Sequence, residues 1–267
     1  IDGTVNGHFN RVQKNNRQQL NSSIQTSQLI VNDYLFGALS IDVDTDSQNE
    51  IQNIEGFVNK NLIKTVEFDG AYMPRLDSNN FTLAIDVYDF DVKHLRSYLN
   101  VVVEDLKGDA AGYLNFYGNL SKPEFEGELI VEDVSLAVPF LNINFNAIDN
   151  SVIQLSDRHI ELNDFDFVSI QNEEDIGEGA LSGDVFHHNF KDFALDLGIV
   201  ADSLLCLNTD AYRDEAYYGR AIATGNASFS GPLQAIAIEV NAVTDKGSSL
   251  FIPLDDDESL DELSFVH

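Results

Sequence analysis

The chain has 267 residues, and its 45 Asp and Glu against 15 Lys and Arg give a formal net charge of −30. This balance argues against nucleic-acid binding, because phosphate contacts need clustered basic side chains. Apolar residues make up 43% of the sequence, which is enough to bury a core. The single cysteine, Cys206, excludes an internal disulfide.

The start of the sequence is what we would expect of a piece of a longer protein. No apolar run is long enough to cross a bilayer, and the first residues lack the basic and apolar regions of a signal peptide. Ile1 looks like the middle of a strand. We therefore expect a fragment, with any membrane anchor outside it.

Alternation of apolar and polar residues is the main signal along the chain, and it is typical of strands with one apolar face. It predicts strands at 41–43, 81–87, 165–167, 195–199 and 236–240. Turn-forming residues separate the strands at 77–80, 121–123, 156–158, 230–232 and 245–247. The sequence thus predicts an all-β antiparallel meander.

Two segments depart from this alternation. Residues 12–28 are polar and rich in Asn and Gln, so we expect a long loop or an irregular strand there. Residues 92–106 have apolar positions three and four apart and are followed by Gly108, which predicts a short amphipathic helix. The β-branched run 101–103 makes the second half of that helix the weaker part.

A loose repeat runs through 112–131, 179–197 and 219–240, each unit being a small-residue strand, a turn and an apolar strand. Such a unit buries its apolar face only by stacking on its neighbours. We therefore expect residues 1–267 to be one continuous segment rather than two domains.

The sequence gives only weak evidence for a metal-binding or catalytic site. The acidic stretch that starts at Asp42 has Ser47 and Asn53 where a calcium loop needs Gly and Glu. His187 and His188 have no third metal ligand at a useful spacing. We expect no enzymatic activity, no metal and no cofactor.

The apolar strand faces leave two interpretations open. They could form the sealed core of an ordinary barrel or sandwich, or they could line an open groove that holds an apolar ligand.

Three segments resemble modules of the TamB family, in particular its Bacteroidota-type branch. The first joins FEGEL at 125–129 to VPFLN at 138–142, and the second is GALSGDVFHHNF at 179–190. The third and most specific runs from YYGRAIATG at 217–225 through FSGP at 229–232 to NAVTDKGSSLFIPL at 241–254. Ser248 and Ser249 stand where that family usually has Thr. The resemblance is clearest over 108–267.

The resemblance implies an elongated antiparallel sheet curled lengthwise into an open apolar trough, often called a β-taco. It also implies a periplasmic protein that is anchored in the inner membrane by an N-terminal helix outside this chain. The C-terminal end would lie near an outer-membrane barrel of the BamA/TamA class. Broader relatives, the AsmA-like and bridge-like lipid-transfer proteins, suggest that phospholipid is the cargo, and an older proposal is assembly of outer-membrane proteins.

On this interpretation the chain is a phospholipid conduit that works as a monomer within its complex, and assembly of outer-membrane proteins is the alternative. The expected groove lining is Phe81, Leu83, Ile85, Val87, Leu129, Val131, Leu195, Leu197, Ile199, Ile236, Ile238 and Val240. The helix at 92–106 could plug the trough through Leu95, Leu99 and Leu106, or cap one end.

Overall fold

A computed structural model of the chain describes residues 5–14, 17–31, 34–46, 50–96, 103–148, 150–188, 191–210 and 218–252. Within them, sixteen strands form one antiparallel sheet, which confirms the all-β prediction. The strands are β1 (Val5–Lys14), β2 (Arg17–Val31), β3 (Tyr34–Asp46), β4 (Ile51–Lys60), β5 (Ile63–Tyr72), β6 (Phe81–Asp91), β7 (Glu104–Asn119), β8 (Lys122–Val138), β9 (Ile143–Ala147), β10 (Ser151–Ser156), β11 (His159–Gln171), β12 (Glu174–Phe186), β13 (Ala194–Thr209), β14 (Tyr218–Pro232), β15 (Ala237–Thr244) and β16 (Ser249–Phe251).

The strands follow one another as a meander. Fourteen of them form a single path from β1 to β15, in which β10 lies between β8 and β11. Two short strands lie off this path: β9 also pairs with β8 and β11, and β16 pairs with β14. Thirteen spacings of about 4.8 Å make this path about 62 Å long. The path does not close on itself, because within the described residues β1 pairs only with β2 and β15 only with β14.

The sheet is curled. Phe36 on β3 and Phe90 on β6 have ring centroids 6.2 Å apart, although three strand spacings in a flat sheet amount to about 14 Å. Phe125 on β8 likewise stacks on His187, just after β12, at 6.4 Å. Phe90 pairs with Ala110 and Phe125 with Phe116, so both contacts lie on the apolar face. The apolar face is therefore the concave one.

A line of β-bulges bends the strands toward that face. Extra residues interrupt the register after Val87, Glu132, Leu162 and Ala201, in β6, β8, β11 and β13. A bulge inserts one residue into one strand of a pair, so it kinks the strand and increases its twist. Leu106, beyond this line, packs in the same cluster as Leu129, before it, which shows that the strand ends fold inward.

The predicted helix at 92–106 is wrong. The chain forms a four-residue 3₁₀ helix at Val92–Leu95, and β7 already begins at Glu104. The 3₁₀ helix is capped by the carboxylate of Asp91, which accepts a hydrogen bond from the backbone N–H of Lys93 at 3.1 Å. The described apolar residues with helical spacing belong to two separate elements, the 3₁₀ helix and β7. In addition, the β-branched residues before β7 favour an extended backbone. Residues 97–102 lie outside the described part.

The polar segment 12–28 is strand wherever it is described, so the irregular-strand alternative fits and the long loop does not. β2 pairs with β1 from Arg17 to Thr26, and its register with β3 shifts after Thr26. Backbone hydrogen bonding to two neighbouring strands fixes its conformation without an apolar pattern of its own.

Candidate functional site

One face of the sheet is apolar along nearly the whole path, and we call it the inner face. Cross-strand pairs put one residue of each strand on the same face, so a row can be followed through the register. The row from β2 to β15 is Thr26, Leu39, Val58, Val66, Val87, Gly112, Leu129, Ile153, Leu162, Gly183, Leu197, Phe229 and Ile238. From β3 to β15 every residue of this row is apolar or glycine, and the row begins with the buried Thr26 on β2, so the inner face forms a continuous apolar track from β3 onward.

The register places eleven of the twelve predicted lining residues on the inner face: Phe81, Leu83, Ile85, Val87, Leu129, Val131, Leu195, Leu197, Ile199, Ile238 and Val240. Ile236 lies in the coil directly before β15. Their contact with lipid stays a prediction.

Exposure varies along the inner face. Phe81, Val87 and Val131 are buried, whereas Leu83 and Leu197 are half-buried. At the end of the sheet Ile238 and Val240 are 59% and 68% exposed. The inner face is therefore accessible over much of its length, and no second sheet covers it within the described residues.

The opposite, outer face is acidic. The sequence neighbours of the inner-face residues form a second cross-strand row, which lies on the outer face. From β5 to β14 this row is Glu67, Asp86, Tyr113, Glu128, Gln154, Glu161, Asp184, Asp196 and Ser230. Six of these nine side chains are carboxylic acids. Like charges directly opposite each other are unfavourable, yet they keep a one-layer sheet with exposed edges soluble.

Two of the predicted plug residues, Leu95 and Leu106, are described, and Leu106 is buried, at 7% exposure. It packs with Val92, Ala110 and Val131 on the inner face, where the bulge line bends the strands. Leu95 is 41% exposed, so it does not fill the trough. Leu99 lies outside the described residues.

A cluster of four rings, the ring box, joins the 3₁₀ helix to β3. The imidazole of His94 stacks on Phe36, with centroids 4.7 Å apart, and meets Tyr34 edge-on at 4.8 Å and Phe90 at 5.7 Å. Burial lowers the pKa of His94, although the nearby Asp91 carboxylate opposes the shift.

His187 forms a second ring cluster on the inner face. It lies between Phe125 and Phe193, at 6.4 and 6.0 Å, and burial lowers its pKa. Its neighbour His188 is exposed. Within the described part of the chain, no three His, Cys, Asp or Glu side chains come together in a way that could hold a metal ion.

Sequence reasoning missed many residues of the inner face on other strands. Phe68 faces the glycine at position 56, and Leu114 pairs with Ile85. The same alternation of apolar and polar residues in VEFDG at 66–70 and GYLNF at 112–116 places Phe68 and Leu114 on an apolar face.

The bulges also have a short sequence signature. Two polar residues stand between apolar ones in VEDV at 131–134, LNDF at 162–165 and ADSL at 201–204. Asp133, Asp164 and Ser203 in these stretches have φ of 52°, 47° and 50°. Asp and Asn tolerate this left-handed backbone better than bulky residues do.

A comparison with known protein families gives a match for the C-terminal part of the chain. Residues 168–267 match the TamB C-terminal domain. Over these residues the chain is similar to the TamB family. The match runs from the end of β11 through β16, and it covers the second and third of the motif groups that resembled this family. TamB proteins are components of the translocation and assembly module.

No curated protein and no solved structure matches the chain. Among the described residues there is no helix whose length and apolar character would let it span a bilayer.

Proposed function

We propose that this chain carries phospholipid along its inner face, with the acyl chains in the trough and the headgroups in water. The single observation that carries the proposal is the row of apolar residues and glycines across twelve strands, from Leu39 on β3 to Ile238 on β15. A conduit needs this continuity, because one exposed polar interruption would stop an acyl chain.

The energetic argument is simple. Each CH₂ group exposed to water costs about 0.8 kcal/mol, so a sixteen-carbon chain costs on the order of 10 kcal/mol to move through water. A half-buried apolar surface such as Leu83 and Leu197 lowers that barrier without enclosing the lipid. Aliphatic and Phe side chains offer no hydrogen bond that would hold the cargo in one place.

The proposal includes location and partners. In the TamB context, residues 1–267 would form one continuous stretch of a periplasmic bridge between inner and outer membranes. An N-terminal helix outside this chain would anchor it, the C-terminal end would approach a BamA/TamA-class barrel, and the protein would act as a monomer within that complex. The acidic outer face would keep the sides of the bridge away from anionic lipid surfaces.

A second function, assembly of outer-membrane proteins, is favoured by the edge of β15. All eight residues of Ala237–Thr244 are exposed, and in the described chain β14 is their only strand partner. Such an edge can pair with a strand of another protein. A client strand bound there would cross-link to β15, whereas lipid would cross-link along the whole inner face.

Site-specific photo-cross-linking tests the conduit. A photoreactive amino acid at Ile85 would face the trough, and one at its neighbour Asp86 would face outward. We expect phospholipid adducts at position 85 and none at position 86 in cells. Equal labelling at both positions, or no lipid at position 85, would refute the conduit.

A further inference from the structure

The 3₁₀ helix lies across the inner face and is held on two sides. Val92 is 5% exposed and packs against Ala110 and Val131, on β7 and β8. Two residues later, His94 inserts its ring among Tyr34 and Phe36 of β3. A four-residue element thus ties β3 to the middle of the sheet, past β4 and β5.

His94 is the imidazole in this attachment, and its surroundings favour the neutral form. Its Nδ1 atom is buried and has no hydrogen-bond partner among the described residues. Lys60 and Lys93 disfavour an imidazolium here, and burial, the largest effect, also lowers the pKa of His94. Asp91 favours the charged form, but its carboxylate is already bound to Lys93.

The remaining charged and titratable groups around the ring box come from β3 and β7. Tyr34 contributes a phenol that contacts His94. Asp109 on β7 lies near Asp91, Asp89 and Lys60, and burial together with these carboxylates raises its pKa. Asp109 therefore loses negative charge more readily on acidification, so it does not offset a positive charge on His94.

We propose that the 3₁₀ helix is a latch across the trough, closed while His94 is neutral and released when His94 is protonated. An imidazolium in the ring box would have to give up water without gaining a hydrogen bond at Nδ1. Because the closed latch binds the proton less well than the released one, its stability is complete above pH 6.5, the ordinary pKa of histidine. It falls as the pH drops below that value.

The role of the latch in transport rests on the proposed conduit. Val92 occupies the inner face beside Leu129 and Val131, where an acyl chain would run. A released latch would free that surface, so lipid and the closed latch would compete for it. The latch itself can be tested without lipid.

The chain contains no tryptophan, so one introduced at the ring box is a unique fluorescent reporter. We would make Phe36→Trp, confirm the fold by far-ultraviolet circular dichroism, and titrate the emission from pH 8 to pH 5. A reversible red shift with a midpoint below pH 6.5 is expected, as the indole leaves the box. If Phe36→Trp does not fold, Tyr34→Trp, whose ring also contacts His94, takes its place.

Two variants control the experiment. Adding His94→Phe preserves a ring in the box but removes the titration, so the emission should stay unshifted across the range. Adding His8→Gln, at an exposed position on β1, should leave the transition intact. A tryptophan variant that shows no red shift, or the same shift with His94→Phe, would overturn the latch. A failed conduit would show separately, as missing lipid adducts at Ile85.

Discussion

The backbone N–H of Ser203 donates a hydrogen bond to the hydroxyl of Thr224 on the neighbouring strand, at 2.9 Å. The same arrangement recurs between β11 and β12, where the N–H of Asp164 donates to the hydroxyl of Ser182 at 3.2 Å. Both N–H groups belong to left-handed bulge residues, which the regular ladder does not pair. A hydroxyl opposite the bulge thus stabilises the bend of the trough.

Thr224→Val should weaken the bend, because it keeps the β-branched shape and removes the acceptor for Ser203. The substitution removes two hydrogen bonds at an exposed site, the one accepted from Ser203 and the one donated to the Asp245 carboxylate at 2.8 Å, so it should lower the free energy of unfolding by about 1–2 kcal/mol. Urea denaturation would measure it. Thr82→Val, at an exposed position of β6, is the control and should change stability little. Equal effects of both substitutions would contradict a role for the hydroxyl.

Gly56 on β4 allows the backbone of β3 and the ring of Phe68 to pack closely against it. A Cβ atom there would lie 2.3 Å from the carbonyl oxygen of Ser40 and 2.4 Å from the ring of Phe68. Gly56→Ala should therefore destabilise the protein by about 1–3 kcal/mol through overpacking.

Gly198 provides the matched control for this substitution. A Cβ atom there would have the carbonyl oxygen of Ser182 as its nearest contact, at 3.9 Å. Gly198→Ala should be neutral or stabilise by up to about 1 kcal/mol. Thermal melts of the two variants should separate clearly, and similar melting temperatures would show that Phe68 and the backbone yield at little cost.

Leu62 forms the tip of the β4–β5 hairpin with φ of 69°, and its side chain is 97% exposed. The two-residue turn at Asn61 and Leu62 has positive φ at both positions, where Asn followed by Gly is preferred. Leu62→Gly should thus stabilise the fold by about 1 kcal/mol. Leu120→Gly, in a turn without positive φ at that residue, should not raise the melting temperature. A lower melting temperature for Leu62→Gly would indicate that the leucine makes stabilising contacts.

Leu197→Asp tests the apolar track on β13, where Leu197 lies between its cross-strand partners Gly183 and Phe229. A carboxylate there would interrupt the inner face, so we expect lipid recovered with the purified protein to fall strongly while the strand signal in circular dichroism persists. Val200→Asp on the same strand points outward, where Val200 is 62% exposed, and should leave bound lipid unchanged. Wild-type lipid content in Leu197→Asp would argue against a continuous track.

The sequence alone determined which residues share a face. In a strand, side chains alternate by local geometry, so Ile85 and Leu197 could be assigned to one face from their neighbours only. Polar turn residues likewise marked where the strands reverse. These are short-range properties, and they do not depend on how the whole sheet curves.

Only the tertiary structure decided how the sheet bends and what occupies its concave side. Val92 and Leu106 had the spacing of one helix, yet they come from a 3₁₀ turn and a strand that meet in one cluster. Phe36 and His94 lie far apart in the chain, and the curl brings them into contact. Such contacts depend on bulges in several strands acting together, and no local pattern specifies their sum.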